Sequence, residues 1–295
     1  MNADRPDAPP PNAVLRRRVL VALDAGEDAA RLLEIAADMA QRMKADLMGL
    51  FIEDSDLLGL GDNPLVRTVS SFAGVSGAIR RGVIEQAMRR QITAARIALE
   101  EAAQMRQIQA TFEVRRGRLA ATLETYEETD FILVRRGEPN VQHTPASRRA
   151  RINAATRQVV DAARRPVIVL DIRAASSAAF GQVSTLYDGS PEADSALLAA
   201  ADIADRRSGD SITVVPLANS EPEADALGRR AQDILLPLGH RPRIAQHVSP
   251  DLDALCTACT TQGGILVLHA HHPLLQGEAM ARLLESIDCS VMVVR

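Results

Sequence analysis

The chain has 295 residues, a length that fits two domains each able to bury a core, and its net charge of −4 gives no reason to expect nucleic acid as a partner. Tryptophan is absent and only Tyr126 and Tyr187 carry phenols, which argues against a base-stacking platform for single strands. No run approaches the roughly 20 apolar residues of a membrane span, and residues 1–16 lack the apolar stretch of a signal peptide. The expectation is a cytoplasmic protein whose three cysteines are reduced.

Residues 1–16, polar and proline-rich, read as a disordered lead. Arg18 to Leu23 is a short apolar run, the pattern of a parallel strand covered on both faces. Gly26 breaks it, and Glu27 or Asp28 is placed to cap a helix or favour its positive end. Leu32, Leu33, Ile35, Ala36, Met39 and Ala40 then recur at helical spacing, and Leu47 to Ile52 is a second strand. Residues 53–109 form an insertion. Its first part is rich in glycine and serine yet carries Leu57, Leu58, Leu60, Leu65, Val66 and Phe72, too apolar for a solvated linker. Those side chains either fold back over the domain as a lid or form a partner surface. From Ala78 to Met105 an amphipathic helix is expected, with Ile84, Met88, Ile92, Ala95 and Leu99 on one face.

Thr111 to Arg116 reads as the third strand, Leu119 to Glu128 as a helix, and Phe131 to Val134 as the fourth strand. A polar loop from Gly137 to Arg149, a helix from Ile152 to Arg164 and a fifth strand from Val167 to Leu170 complete the first half. Residues 173–180, rich in alanine and serine, are the linker, and 181–295 repeat the alternation more compactly.

The halves share a written pattern. An offset of 164 places Asp24 on Asp188, Gly26 on Ser190 and Ala36-Ala37-Asp38 on Ala200-Ala201-Asp202 without a gap. Offsets of 132, 134 and 124 carry the third, fourth and fifth strands of the first half onto Ile244–Ser249, Gly263–His269 and Ser290–Val294. This is a domain written twice, at 17–172 and 181–295. Five strands alternating with helices in each copy predict two doubly wound α/β sheets, which bind ligands beyond the carboxyl ends of their strands.

On these residues the chain resembles a tandem universal stress protein: VLVALDAGEDAARLLEIAADMA, a Val-Arg-Arg-Gly turn, Thr-Asp-Phe-Ile-Leu-Val, a closing Arg-Pro-Val-Ile-Val-Leu, and a second opening at Tyr187-Asp188-Gly189-Ser190. The resemblance implies five-stranded parallel sheets that pair through their fifth strands. It implies a role in stress response, and in some members ATP bound with the strand-one Asp near the adenine, here Asp24 and Asp188. It also implies phosphates resting on a Gly-x-x-Gly turn after strand four and on a later Gly-Ser/Thr. This chain departs there. Arg135 and Glu138, or His269 and His272, stand where the two glycines belong. Asn153-Ala154 and Gly277-Glu278 replace the later pair. Glycine lets backbone approach a phosphate closely, so weak ATP binding or none is expected.

An arginine-based site is the substitute the residues suggest. Arg115, Arg116 and Arg118 around Gly117, with Arg135 and Arg136 before Gly137, fall at the ends of strands three and four. Arginine grips phosphate or carboxylate bidentately; the alternative is a solvated edge balanced by Glu124, Glu127 and Glu128. The second half offers His247 and His269, with His271 and His272, where a metal is conceivable and a surface turn is expected. Cys256 and Cys259 have no second ligand pair for zinc and read as small core residues. No phosphate loop, nucleophile elbow or zinc-protease motif occurs. The expected function is therefore non-enzymatic: sensing a small anion, ATP or another nucleotide at the carboxyl edge of the first half, or alternatively scaffolding a partner protein through residues 53–77.

Overall fold

The computed structural model describes residues 17–23, 28–55, 67–69, 76–78, 81–126, 129–136, 154–172, 182–204, 212–260, 264–287 and 289–295. The insertion's apolar residues Leu57, Leu58, Leu60, Leu65, Val66 and Phe72 lie outside these, and so do Asp24 and Gly137.

The first half runs β1 (Arg18–Leu23), α1 (Ala29–Met43), β2 (Asp46–Asp54), β3 (Arg67–Val69), β4 (Ser76–Ala78), α2 (Arg81–Arg106), β5 (Ala110–Gly117), α3 (Leu119–Leu123), β6 (Phe131–Arg135), α4 (Ala154–Ala162) and β7 (Val167–Leu170). The second runs β8 (Val183–Tyr187), α5 (Pro191–Ile203), β9 (Ile212–Pro216), α6 (Glu221–Leu235), β10 (Arg243–Ile244), α7 (Leu252–Thr260), β11 (Ile265–His269), α8 (Glu278–Ser286) and β12 (Ser290–Val294). Ten strands form one sheet in the order β10-β9-β8-β11-β12-β7-β6-β1-β2-β5, and β3 and β4 pair antiparallel as a separate two-stranded sheet.

Each half is parallel internally, and β7 and β12 meet antiparallel, with Val167, Ile168 and Val169 opposite Val293, Met292 and Val291. The fold class is thus α/β, as the apolar strands require. Strands β1, β7, β8 and β12 are buried on both faces because helices cover the sheet twice over. Val19, Val21 and Leu23 pack with α1, while Leu20 and Ala22 join the opposite layer with Val159 and Leu123.

Local details depart from expectation in instructive ways. Asp28 stands at the start of α1 with φ −98° and ψ 18°, outside the extended conformation a cap uses, and its carboxylate makes no capping bond. Its counterpart in the second half does better: Ser190 Oγ accepts the N–H of Ala193, and Pro191 opens α5. Helix α3 has only five residues, against nine in α7, and stops before Glu124.

Strand β10 is also shorter than expected. Ile244 pairs with Val214 and Val248 bridges Leu217, so four steps on one strand face three on the other. That one extra residue is a bulge, which bends the edge and ends the ladder. In the first half β5 keeps register with β2 from Ala110 to Gly117 without interruption.

Candidate functional site

In the strand order of each half the chain reverses between its first and fourth strands, so the crevices lie between β1 and β6 and between β8 and β11. In the second half this places Asp188, just past β8, beside His269 at the end of β11. The glycine that follows lets the turn close. Gly189 has φ +76°, and a Cβ there would stand 2.7 Å from Leu227 Cδ2.

The Asp188 carboxylate is then surrounded by the chain's own donors. Oδ1 accepts the Ser190 N–H at 2.9 Å and the Ser190 hydroxyl at 2.6 Å. Oδ2 lies 3.3 Å from His269 Nε2 and 3.5 Å from His272 Nε2. The two imidazoles meet edge to face, 5.5 Å between centroids. Burial alone would raise the Asp188 carboxyl, but hydrogen bonds from His269 and Ser190 and the His269 charge together hold it well below the usual carboxylate range. Burial lowers His272, partly offset by Asp188 and reinforced by His269.

His272 was expected in a surface turn; it is instead 5% exposed, and His271 alone is turned outward. His272 Nδ1 accepts the Leu274 N–H at 3.2 Å, so the proton of its neutral ring sits on Nε2 and faces Asp188. That hydrogen bond removes His272 Nε2 as a metal ligand, and no metal-holding group of His, Cys, Asp and Glu occurs among the described residues. His269 Nδ1 is buried without a hydrogen-bond partner among the described residues.

The arginines are not brought together. β5 and β6 are separated by β2 and β1, three inter-strand steps or roughly 14 Å. Arg115 donates to Tyr126 Oη at 3.1 Å and to Glu113 at 3.1 Å, which raises its already high pKa. Arg116 donates twice to Glu53 Oε2, at 3.1 and 3.0 Å. Arg118 is exposed at the start of α3, beside Gly117, and its carbonyl accepts from Thr122.

Arg135 ends β6 partly exposed, and its carbonyl takes the Thr156 hydroxyl at 3.1 Å. Arg136 corrects the anion-pocket expectation most sharply. It is 3% exposed, and its guanidinium donates across the junction to Ile287 O at 2.6 Å and Cys289 O at 3.2 Å. A guanidinium buried on two carbonyls has its binding edge occupied.

The phosphate side of the second half is equally altered. Gly277 precedes α8 with φ +59°, but Glu278 opens the helix. Beside Gly277 and Ala270 a cavity of about 340 Å³ also meets Asp161 and Arg295. The Arg295 guanidinium is turned to the Val160 and Asp161 carbonyls. A larger cavity of about 580 Å³ lies between α3 and α4 over Ile132, at the amino end of the strands and away from either crevice. Cys259 and Cys289 are buried and Cys256 partly so; burial, with the neighbouring thiols, pushes Cys259 up to about 12, as a core residue's environment does.

No protein-family model matches the chain, and no curated protein matches it. Among solved structures, a universal stress protein from Archaeoglobus fulgidus DSM 4304 aligns with 94% of this chain and 98% of its own, at TM-score 0.67 and 14% identity. UspA of Lactobacillus plantarum aligns over 52% of this chain and 96% of its own, at TM-score 0.35 and 20% identity. A universal stress protein from Burkholderia pseudomallei does so over 52% and 96%, at 0.33 and 18%. The likeness to the Archaeoglobus fulgidus structure establishes the fold, which is that of a universal stress protein.

Proposed function

We propose that this chain is a non-catalytic regulatory protein, two copies of one domain joined at 173–180, that binds a small anion or nucleotide at the carboxyl edge of its first half. The observation that carries the reading is the saturation of Asp188: both carboxylate oxygens are engaged by Ser190, His269 and His272, so the second half's copy of this Asp already holds the chain's own donors. Ligand binding then falls to the crevice between β1 and β6, where Arg135 ends β6 and where Asp24 follows β1 in the sequence. ATP binds weakly there, since Arg135 replaces the first cradle glycine. The absence of turnover is supported by the direction of the Ser190 hydroxyl. It donates to Asp188, and both imidazoles present Nε2 to that same carboxylate instead of to the hydroxyl. A cytoplasmic setting belongs to the same reading.

The test is calorimetry of the full chain with pyrophosphate, AMP, ADP and ATP, repeated on Arg135→Ala, Asp24→Asn and Asp188→Asn. At least one ligand binds the wild type, loses about tenfold or more in affinity with Arg135→Ala, and is indifferent to Asp188→Asn. Binding lost only in Asp188→Asn would move the site to the second half, and no heat with any ligand would end the ligand reading.

A further inference from the structure

Among the described residues the ten-stranded sheet ends on two edge strands of very different character. β10 offers two residues and a bulge, which blunts it against pairing. β5 offers eight residues in unbroken register with β2 and, among the described residues, pairs on that side alone. Its centre is exposed: Val114 is 37% exposed, and the Glu113, Arg115 and Arg116 side chains 41%, 59% and 57%.

We propose that β5 is a homodimer interface, at which two copies of this chain pair antiparallel about a two-fold axis through Val114. The register follows from symmetry and charge. A two-fold that continues the sheet keeps each residue on its own face, so opposed residues must have equal parity and the axis must pass through a residue. Centred on Glu113, the pairing sets Glu113 against Glu113; centred on Arg115, it sets Arg115 against Arg115. Like charges directly opposed are destabilising. Centred on Val114, Val114 meets Val114, Glu113 meets Arg115 twice, and Phe112 meets Arg116 twice. Thr111 to Gly117 then all take part. The Phe112 ring already accepts a guanidinium, with Arg96 4.8 Å from its centroid. The arginines at this edge thus find carboxylates and a ring on a second copy.

The inference is independent of the ligand reading, and its readout is mass. Sedimentation equilibrium of the full chain gives twice 31.8 kDa, the dimer weakening as salt rises. Glu113→Arg and Arg115→Glu each give folded monomers, with wild-type far-ultraviolet circular dichroism and a thermal midpoint lowered by the loss of association. Mixed together, the two variants restore a dimer, because arginines at 113 and 115 of one meet glutamates at 115 and 113 of the other. Val114→Cys with copper–phenanthroline as oxidant yields a cross-linked dimer that wild type, carrying only its native thiols, does not. The proposal is overturned by a wild type that stays monomeric, by single variants that still dimerise, by a mixture that stays monomeric, or by Val114→Cys that does not cross-link.

Discussion

Arg136 follows the last residue of β6 and Ile287 precedes β12 in the other half, yet the guanidinium of the first donates to the carbonyl of the second at 2.6 Å. A second bond to Cys289 O at 3.2 Å and the Asp171 carboxylate 3.8 Å away complete a buried joint. The side chain of Asp171 is only 13% exposed, so its charge is little screened. Arg136→Ala leaves these acceptors without their cation and lowers stability by about 2–4 kcal/mol, read from urea unfolding. Arg116→Ala breaks an exposed pair with Glu53 and shifts stability by no more than about 1 kcal/mol. Equal losses in the two variants would show that the junction does not depend on Arg136.

The strand pair at the junction is tested by Val169→Lys. Val169 is 0% exposed and lies opposite Val291. An ammonium there has no carboxylate within the apolar layer of Val134, Val291 and Val293. The expected cost is about 3 kcal/mol or more, seen as a lowered thermal midpoint or loss of soluble protein. An unchanged midpoint would mean that β7 and β12 do not share the sheet.

Stability should fall in two stages as the solution is acidified. The His272 imidazole is depressed below its ordinary 6.5, mainly by burial. The unfolded ring therefore takes up its proton first, and stability present above about pH 6.5 is lost below it. The Asp188 carboxyl is held below its ordinary 3.8, so the unfolded state again protonates first, and the second loss sets in below about pH 4. Both slopes have the same sign. His272→Asn, which keeps an acceptor for the Leu274 N–H, removes the upper stage, and Asp188→Asn removes the lower one. A thermal midpoint that is flat between pH 7 and pH 5 in the wild type contradicts the first assignment.

Gly189→Ala separates backbone strain from crowding. The position requires φ +76°, and the new methyl would meet Leu227 Cδ2 at 2.7 Å. The expected loss is about 1–3 kcal/mol by chemical denaturation. Adding Leu227→Ala relieves the contact and leaves the conformational cost, so a double-mutant cycle yields a favourable coupling. Strict additivity would mean that the crowding contributes nothing.

The elements most readable from sequence were those whose burial is uniform. Val167–Leu170 reads as a strand in the chain and is one in the sheet, because four consecutive apolar residues fit a strand covered on both faces. The ends of elements were harder. Leu119 to Glu128 carries helical spacing, but α3 stops at Leu123; Thr129 then gives its hydroxyl to the Tyr126 carbonyl instead of continuing a helix. Ile244 to Ser249 promises a strand, and the single extra residue against β9 cannot be seen without the partner's register.

At the site, the repeat singles out Asp188, and His269 follows from its place at the end of β11. His272 does not, because His-His-Pro carries the signature of an exposed turn; only the short 3₁₀ helix Pro273–Leu275 brings its ring back to the carboxylate. Arg135 and Arg136 read alike as a pair of cations. What divides them is alternation at the strand end and the carbonyls of Ile287 and Cys289, which are 151 and 153 residues away in sequence.

Because β7 and β12 run in opposite directions, the strands of the two halves point to opposite poles of the molecule. The switch point beside β1 lies toward one pole and the Asp188 cluster toward the other. The four residues of β7 alone span about 13 Å between those ends. A ligand at the first pole therefore cannot touch the second. Any influence between them must pass through the packed junction, which includes the strand pair, the Arg136 joint, the Arg17–Asp202 ion pair and the bonds of Arg295 to Val160 and Asp161. The two crevices thus face opposite ways, and a signal from one to the other would have to be carried by the packed interior between them.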